Sequence, residues 1–179
     1  AGADTLNGGS GFDVASYAGS SAAVDVRLNN GTATGGHASG DVLSNIEGLI
    51  GSDYGDILKG DSSSNFLGGG SGDDNLSAGS GNDTLLGGAG DDTLNGGSGN
   101  DRFVFGDSSG NDRITDFAGG VGVGDVIDLV GHSTLNSFAD VQAAVSQIGV
   151  DTVIDMGGGS SLTLASFTAT NLAADDFLF

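Results

Sequence analysis

Cysteine and proline are both absent from this chain of 179 residues. The first absence excludes a disulfide framework and any thiolate zinc site; the second excludes collagen-like and polyproline segments. Cations are nearly as scarce: four Lys plus Arg stand against 24 Asp plus Glu, a formal net charge of −20. Phosphate contacts need clustered Lys and Arg, so no nucleic acid is expected as a partner, and anionic membrane surfaces are disfavoured for the same reason. No apolar run approaches the ~18 residues that cross a bilayer, so no membrane insertion is expected. Glutamate is missing too, apart from Glu47; the other 23 acids are Asp. A merely soluble acidic surface would mix the two. A short carboxylate used alone points to a fixed geometry, with its oxygen held close to a turn.

Glycine is what the chain has in excess, 36 residues or about one in five, and it recurs with a period. From Gly51 the sequence divides every nine residues without a gap: GSDYGDILK, GDSSSNFLG, GGSGDDNLS, AGSGNDTLL, GGAGDDTLN and GGSGNDRFV, ending at Val104. Position six reads Asp56, Asn65, Asp74, Asp83, Asp92, Asp101, and position eight reads Leu58, Leu67, Leu76, Leu85, Leu94, Phe103. The first nonapeptide is loose and the last four are tight. The same phase recurs in Gly8–Ser16 with Asp13, preceded nine residues earlier by Asp4. A flexible linker has no use for Leu or Phe at every eighth position, and 37% hydrophobic residues is too many for a disordered acidic tail.

Glycines at positions one, two and four permit backbone angles barred to other residues and let carbonyls converge. Positions seven to nine suit a short strand with one side chain pointing inward. Each nonapeptide is then a turn plus a very short strand. Eighteen residues make one coil of a flattened helix, whose strands stack in parallel into two facing sheets around the apolar column. The fold class expected is all-β, a parallel β-roll. One buried Leu per nine ordered residues is a thin core, and the Asp column brings like charges together. The term that would compensate is a cation that neutralises carboxylates and accepts carbonyl oxygens, and an all-oxygen site suits calcium, with 6–8 oxygen ligands, better than zinc or copper. An EF-hand is excluded because it needs a Glu at its twelfth position, and a phosphate-cradling loop because it needs a Lys.

The four tight nonapeptides resemble the RTX (repeats-in-toxin) motif G-G-x-G-x-D-x-U-x. The resemblance implies a right-handed parallel β-roll with several calcium ions, each between two turns eighteen residues apart on one edge. The earlier turn would give carbonyls from positions two and four and its Asp; the later turn would give carbonyls from positions one and three and its Asp. Carried over, Gly70, Gly72 and Asp74 would pair with Gly87, Ala89 and Asp92. On the opposite edge Gly79, Gly81 and Asp83 would pair with Gly96, Ser98 and Asp101. A weaker site would use Ser52, Tyr54 and Asp56 with Gly69, Ser71 and Asp74, and another Asp61, Ser63 and Asn65 with Ala78, Ser80 and Asp83. These last two depart from the glycine pattern, and Asn65 lacks a charge.

Three segments are expected. Residues 1–50 hold partial and degenerate coils with an insertion. Within them Ala23–Leu28 alternates like a half-buried strand, Asn29-Asn30-Gly31 makes a turn, and Val42–Ile50 makes a degenerate coil with Glu47 in the Asp position. Asp13 is paired with Asp41 across this insertion. Residues 51–104 are the repeat array. Residues 105–179 are a mostly β cap with one short helix over Asn136–Ile148, N-capped by Ser137, and a hairpin of Thr152–Met156 and Ser161–Ala165 around Gly157-Gly158-Gly159. A solenoid needs such a cover over its open end.

The stretches GNDRITDF and GDVIDL, and the final Asp176-Phe177-Leu178-Phe179, resemble the ends of RTX exoproteins. That likeness implies the type I secretion apparatus as a partner and a secreted, extracellular or cell-surface location. The start in mid-repeat leads to the expectation of an upstream domain in the same chain. Catalysis is not expected within these residues: neither HExxH nor G-x-S-x-G occurs, and His37 and His132 read as surface loop residues. The favoured function is a calcium-dependent folding and export module. The rival is a calcium-rigidified structural or glycan-contacting module of a surface protein.

Overall fold

A computed structural model describes residues 2–107, 109–122 and 124–179. The nonapeptides form two facing sheets, one of eleven strands and one of seven, and successive repeats alternate between them. Strands eighteen residues apart are parallel neighbours in strict register: Leu76 lies opposite Leu58 and Leu94 opposite Leu76 in the long sheet. In the short sheet Leu67 lies opposite Leu49, Leu85 opposite Leu67 and Phe103 opposite Leu85. All of these side chains are fully buried, so the apolar column at position eight is the seam between the sheets. The strands exceed the expected three residues. Phe66–Ser71, Asn75–Ser80, Thr84–Ala89 and Thr93–Ser98 each run six residues, through position three of the next repeat. Stacked turns continue the backbone ladder there, as in Gly88 opposite Gly70 and Gly97 opposite Gly79.

Both sheets pass without interruption into the flanking segments. At the amino-terminal side Thr5–Asn7 pairs with Val42–Ser44 and Val14–Ser16 with Gly48–Ile50, so Val42–Ile50 is a degenerate coil as expected. The insertion folds as an antiparallel hairpin, Asp25–Arg27 with Thr32–Thr34, and its first strand docks in parallel on Ile57–Lys59. On the other side Asn111–Ile114 and Val126–Asp128 extend both sheets, with Ile114 opposite Leu94 and Ile127 opposite Phe103. The end is closed by antiparallel strands, where Asp151–Gly157 and Ser160–Leu164 form the expected glycine hairpin, and by Phe177–Leu178 on Val126–Asp128.

Two expectations about the cap need correction. The helix is only Phe138–Ala144, and Val145–Ile148 is a strand paired with Asp151–Gly157. The apolar spacing over 136–148 is helical throughout, but β-branched Val145 and Ile148 and the Gly149 turn let the segment take an open sheet edge instead. Ser137 does cap the helix, accepting from the Asp140 N–H. His132 is not a surface residue. It is 2% exposed, and its Nδ1 accepts from the Leu135 and Thr134 N–H groups at 3.2 and 3.3 Å. Among the described residues no helix is long and apolar enough to cross a membrane.

Candidate metal centre

The position-six carboxylates lie in two rows, one along the turns that lead into the long sheet and one along the turns that lead into the short sheet. Each row is stitched by one repeated hydrogen bond, from the N–H of a position-six residue to Oδ1 of the residue eighteen later. On the long-sheet edge the Asp56 N–H donates to Asp74 at 2.7 Å and the Asp74 N–H to Asp92 at 2.9 Å. On the short-sheet edge the Asn65 N–H donates to Asp83 at 2.7 Å and the Asp83 N–H to Asp101 at 2.9 Å. Residues nine apart therefore face opposite edges.

All four turn pairs named from the repeat spacing are brought together. Gly72 N–H donates to Ala89 O at 2.8 Å and Gly81 N–H to Ser98 O at 2.9 Å, which joins the turns of Asp74 with Asp92 and of Asp83 with Asp101. Ser71 N–H donates to Ser52 O at 3.3 Å and Ser80 N–H to Asp61 O at 3.1 Å, which joins the two looser pairs. Carbonyls from both turns crowd the gap. Gly88 has φ +113°, and a Cβ there would stand 2.0 Å from Gly70 O; a Cβ on Gly90 would stand 2.3 Å from Gly72 O. From the other side, a Cβ on Gly69 would meet Gly87 O at 2.5 Å and Asp74 Oδ2 at 2.0 Å.

The second carboxylate oxygen is where the rows become unusual. Oδ2 of Asp74, Asp83, Asp92 and Asp101 is buried and, among the described residues, finds no hydrogen-bond donor. A buried acceptor left unmade is expensive, and an unpaired buried charge more so. Burial, more than any neighbour, drives these carboxyls up: Asp74 and Asp92 to about 7 and Asp83 to about 6, with Asp101 also raised. The facing acids of the same row add to it, Asp92 and Asp56 at Asp74 and Asp101 at Asp83. These four orphaned oxygens belong to the four tight repeats, and a fifth, Oδ2 of Asp13, belongs to the isolated repeat Gly8–Ser16. In the two loose ones the acceptors are satisfied by protein: Asp56 takes the Ser52 hydroxyl at 2.9 Å and the Val24 N–H at 2.7 Å. Asn65 takes the Asp61 N–H at 2.8 Å and donates its own amide to Glu47 O at 3.2 Å.

The donor set is oxygen only. Among the described residues no three His, Asp or Glu side chains gather as a metal cluster, so a cation between these turns draws on carbonyls with one carboxylate from each turn. That is hard-cation chemistry of the calcium kind, and the residues present fit it.

The rows are longer than the period suggests. The Asp92 N–H donates to Asp112 at 3.0 Å, twenty residues on, and the Asp101 N–H to Asp125 at 2.9 Å, twenty-four on. At the other end the Asp4 N–H donates to Asp41 at 2.8 Å and the Asp13 N–H to Glu47 at 3.0 Å. Asp13 thus pairs with Glu47 and not with Asp41, which belongs to the row of Asp4. A local signal for three of these rungs exists: Asp41, Asp112 and Asp125 each precede an aliphatic residue by two positions, as the repeat Asp does. Burial raises Asp112 to about 6 and raises Asp125 too, with Asp116 and Asp176 adding to the latter.

The family model described as the RTX calcium-binding nonapeptide repeat matches in four copies, over residues 1–15, 50–85, 68–103 and 78–114. Among solved structures, a subunit of the Azotobacter vinelandii mannuronan C5-epimerase is similar at 35% identity and TM-score 0.57, over 73% of this chain and 81% of that one. The extracellular lipase of Serratia marcescens is similar in fold at 18% identity and TM-score 0.62, over 100% of this chain. The chain spans 34% of the lipase's length. No curated protein sequence matches.

Proposed function

The chain belongs to the RTX calcium-binding nonapeptide repeat family, and from that premise we propose that it is a module which folds when calcium binds between its turns. The observation that carries this reading is the set of buried Oδ2 atoms on Asp74, Asp83, Asp92 and Asp101 that have no donor among the described residues. A calcium ion would supply positive charge to two such oxygens at once. Asp74 and Asp92 would hold one ion with the carbonyls of Gly70, Gly72, Gly87 and Ala89. Asp83 and Asp101 would hold another with those of Gly79, Gly81, Gly96 and Ser98. The turns of Ser52, Tyr54 and Asp56 and of Asp61, Ser63 and Asn65 are weaker candidates, because their side chains already satisfy one another.

A ligand that binds only the folded state pulls the equilibrium towards it. Calcium-poor cytosol would leave the chain unfolded and fit for passage through a type I apparatus; calcium outside would fold it, stabilising the larger secreted protein to which it would belong. The extracellular lipase that shares the fold supports this placement. We further propose that no catalytic step takes place within these residues. A glycan-contacting surface module is the second reading, favoured by the likeness to the mannuronan epimerase subunit; polysaccharide pull-down in calcium separates the two.

Circular dichroism tests the calcium step. In excess chelator the spectrum should be mostly disordered, and millimolar calcium should bring up the β signal. Magnesium should substitute poorly, since it demands a smaller octahedral shell and dehydrates reluctantly. A fully ordered chain in chelator at neutral pH would overturn the reading.

A further inference from the structure

Position five, next to each ligand Asp, carries a second row of hydrogen bonds along each edge. On the long-sheet edge the Asp91 N–H donates to Asp73 Oδ1 at 2.9 Å and the Asn111 N–H to Asp91 Oδ1 at 2.8 Å. On the short-sheet edge the Asn82 N–H donates to Ser64 Oγ at 3.1 Å and the Asn100 N–H to Asn82 Oδ1 at 2.9 Å. Asp and Asn make the same bond at the same length, and all four side chains are exposed. Stacking the turns therefore does not require the charge. Yet the charge alternates strictly with the edge: Asp73 and Asp91 on one, Asn82 and Asn100 on the other.

We propose that Asp73 and Asp91 are affinity determinants for the ion held by Asp74 and Asp92, acting through their field and not as ligands, and that Asn82 and Asn100 withhold this increment from the Asp83–Asp101 site. This rests on the calcium reading above. The pull has somewhere to act: Asp74 and Asp92 are 2% and 1% exposed, and each aims an unpartnered Oδ2 into the gap between turns. Of the other nearby acids, Asp56 and Asp112 are rungs of the same long-sheet row, and two more are fixed elsewhere. Asp61 accepts from the Ser63 N–H at 2.7 Å, and Asp116 accepts from the N–H groups of Gly96 and Gly97 at 3.1 and 2.7 Å, both on the short-sheet edge. They are unchanged by the substitutions that test the position-five row.

A carboxylate one residue from a ligand sits roughly 7 Å from the ion, given the 3.8 Å spacing of consecutive Cα atoms. In water such a charge alters the affinity for a divalent ion by about five- to tenfold at low salt, and by about twofold once the Debye length falls to the same distance.

Calcium midpoints followed by circular dichroism, in 10 mM and in 300 mM KCl, test the proposal on the full chain. D73N/D91N, which removes two such charges, should raise the midpoint roughly 25- to 100-fold at low salt, N82D/N100D should lower it comparably, and both effects should shrink towards about fourfold at high salt. D155N, an exposed cap carboxylate that accepts from the Gly157 N–H at 2.8 Å, controls for net charge and should move the midpoint less than twofold. A D73N/D91N midpoint equal to that of D155N at low salt would overturn the proposal. So would an effect undiminished by salt, which would make these side chains ligands. Absence of any calcium response in the unaltered chain would instead sink the calcium reading on which the proposal rests.

Discussion

Replacing Asp92 with Asn should make the chain more stable without calcium and less stable with it. Asp92 is 1% exposed, its Oδ1 accepts from the Asp74 N–H at 2.9 Å, and its Oδ2 has no donor among the described residues. Burial, followed by the charges of Asp112, Asp73 and Asp91, pushes its carboxyl from 3.8 to about 7. A carboxyl raised in the folded state binds its proton more tightly there than in the unfolded chain. Below pH 3.8 both states are protonated and nothing is lost. Between pH 3.8 and about 7 the metal-free fold loses stability steadily, and above that the loss is complete, on the order of 4 kcal/mol for this one group. Asn keeps an oxygen to accept from the Asp74 N–H and removes the charge; Asn65 already stands uncharged at the same repeat position in the short-sheet row. Urea unfolding in chelator, with a fixed amount of trimethylamine oxide so that both proteins populate the fold, reads the difference. At pH 7.5 Asp92→Asn should gain up to ~4 kcal/mol; by pH 4 the gain should vanish. In saturating calcium the order should reverse, because one site has lost a carboxylate. A variant weaker than the parent in chelator at pH 7.5 would refute the reasoning.

Three further outcomes follow from the two-row geometry. Alanine cycles on calcium midpoints should show strong coupling of Asp74 with Asp92 and of Asp83 with Asp101, and near-additivity of Asp83 with Asp92, which occupy different edges; the opposite pattern would mean that ions bridge consecutive nonapeptides. Gly88→Ala should cost more than about 2 kcal/mol, because φ is +113° and the new Cβ would stand 2.0 Å from Gly70 O, while Gly19→Ala, with nothing within 4 Å, should be neutral or slightly stabilising in a thermal melt. Deleting Asn136–Phe179 removes the strand Ser160–Leu164 from Asn111–Ile114 and should raise the calcium requirement or cause aggregation, whereas removing only Asp176–Phe179 should reduce type I export and leave calcium folding largely intact; a monomeric, normally titrating truncation to residue 135 would count against the capping role.

The period of nine, the Asp and Leu columns, the pairing at eighteen and the oxygen-only character of the site were all legible in the residues. Each depends on a turn of nine residues whose shape is set by its own glycines, and identical turns can stack in only one register. The glycine hairpin and the Ser137 cap were legible for the same reason, since their determinants lie within a few residues. The closing rungs were legible only in part: the sequence puts Glu47 in the Asp position, but it matches Asp13 to Asp41 and does not reveal the other partners. Asp41, Glu47, Asp112 and Asp125 join the rows at separations of 37, 34, 20 and 24 residues, which no period encodes. The strand at Val145–Ile148 reads as helix until the free edge of Asp151–Gly157 is in place. Burial of His132 depends on the Ser133–Leu135 backbone turning back over its ring. The Asp73–Asn82–Asp91–Asn100 alternation was present in the letters from the start, but its sorting onto two edges follows from the stacking. Local backbone conformation is decided by near neighbours in sequence, whereas which carboxylate faces which is decided by strand pairing across insertions, and only the assembled sheets fix that.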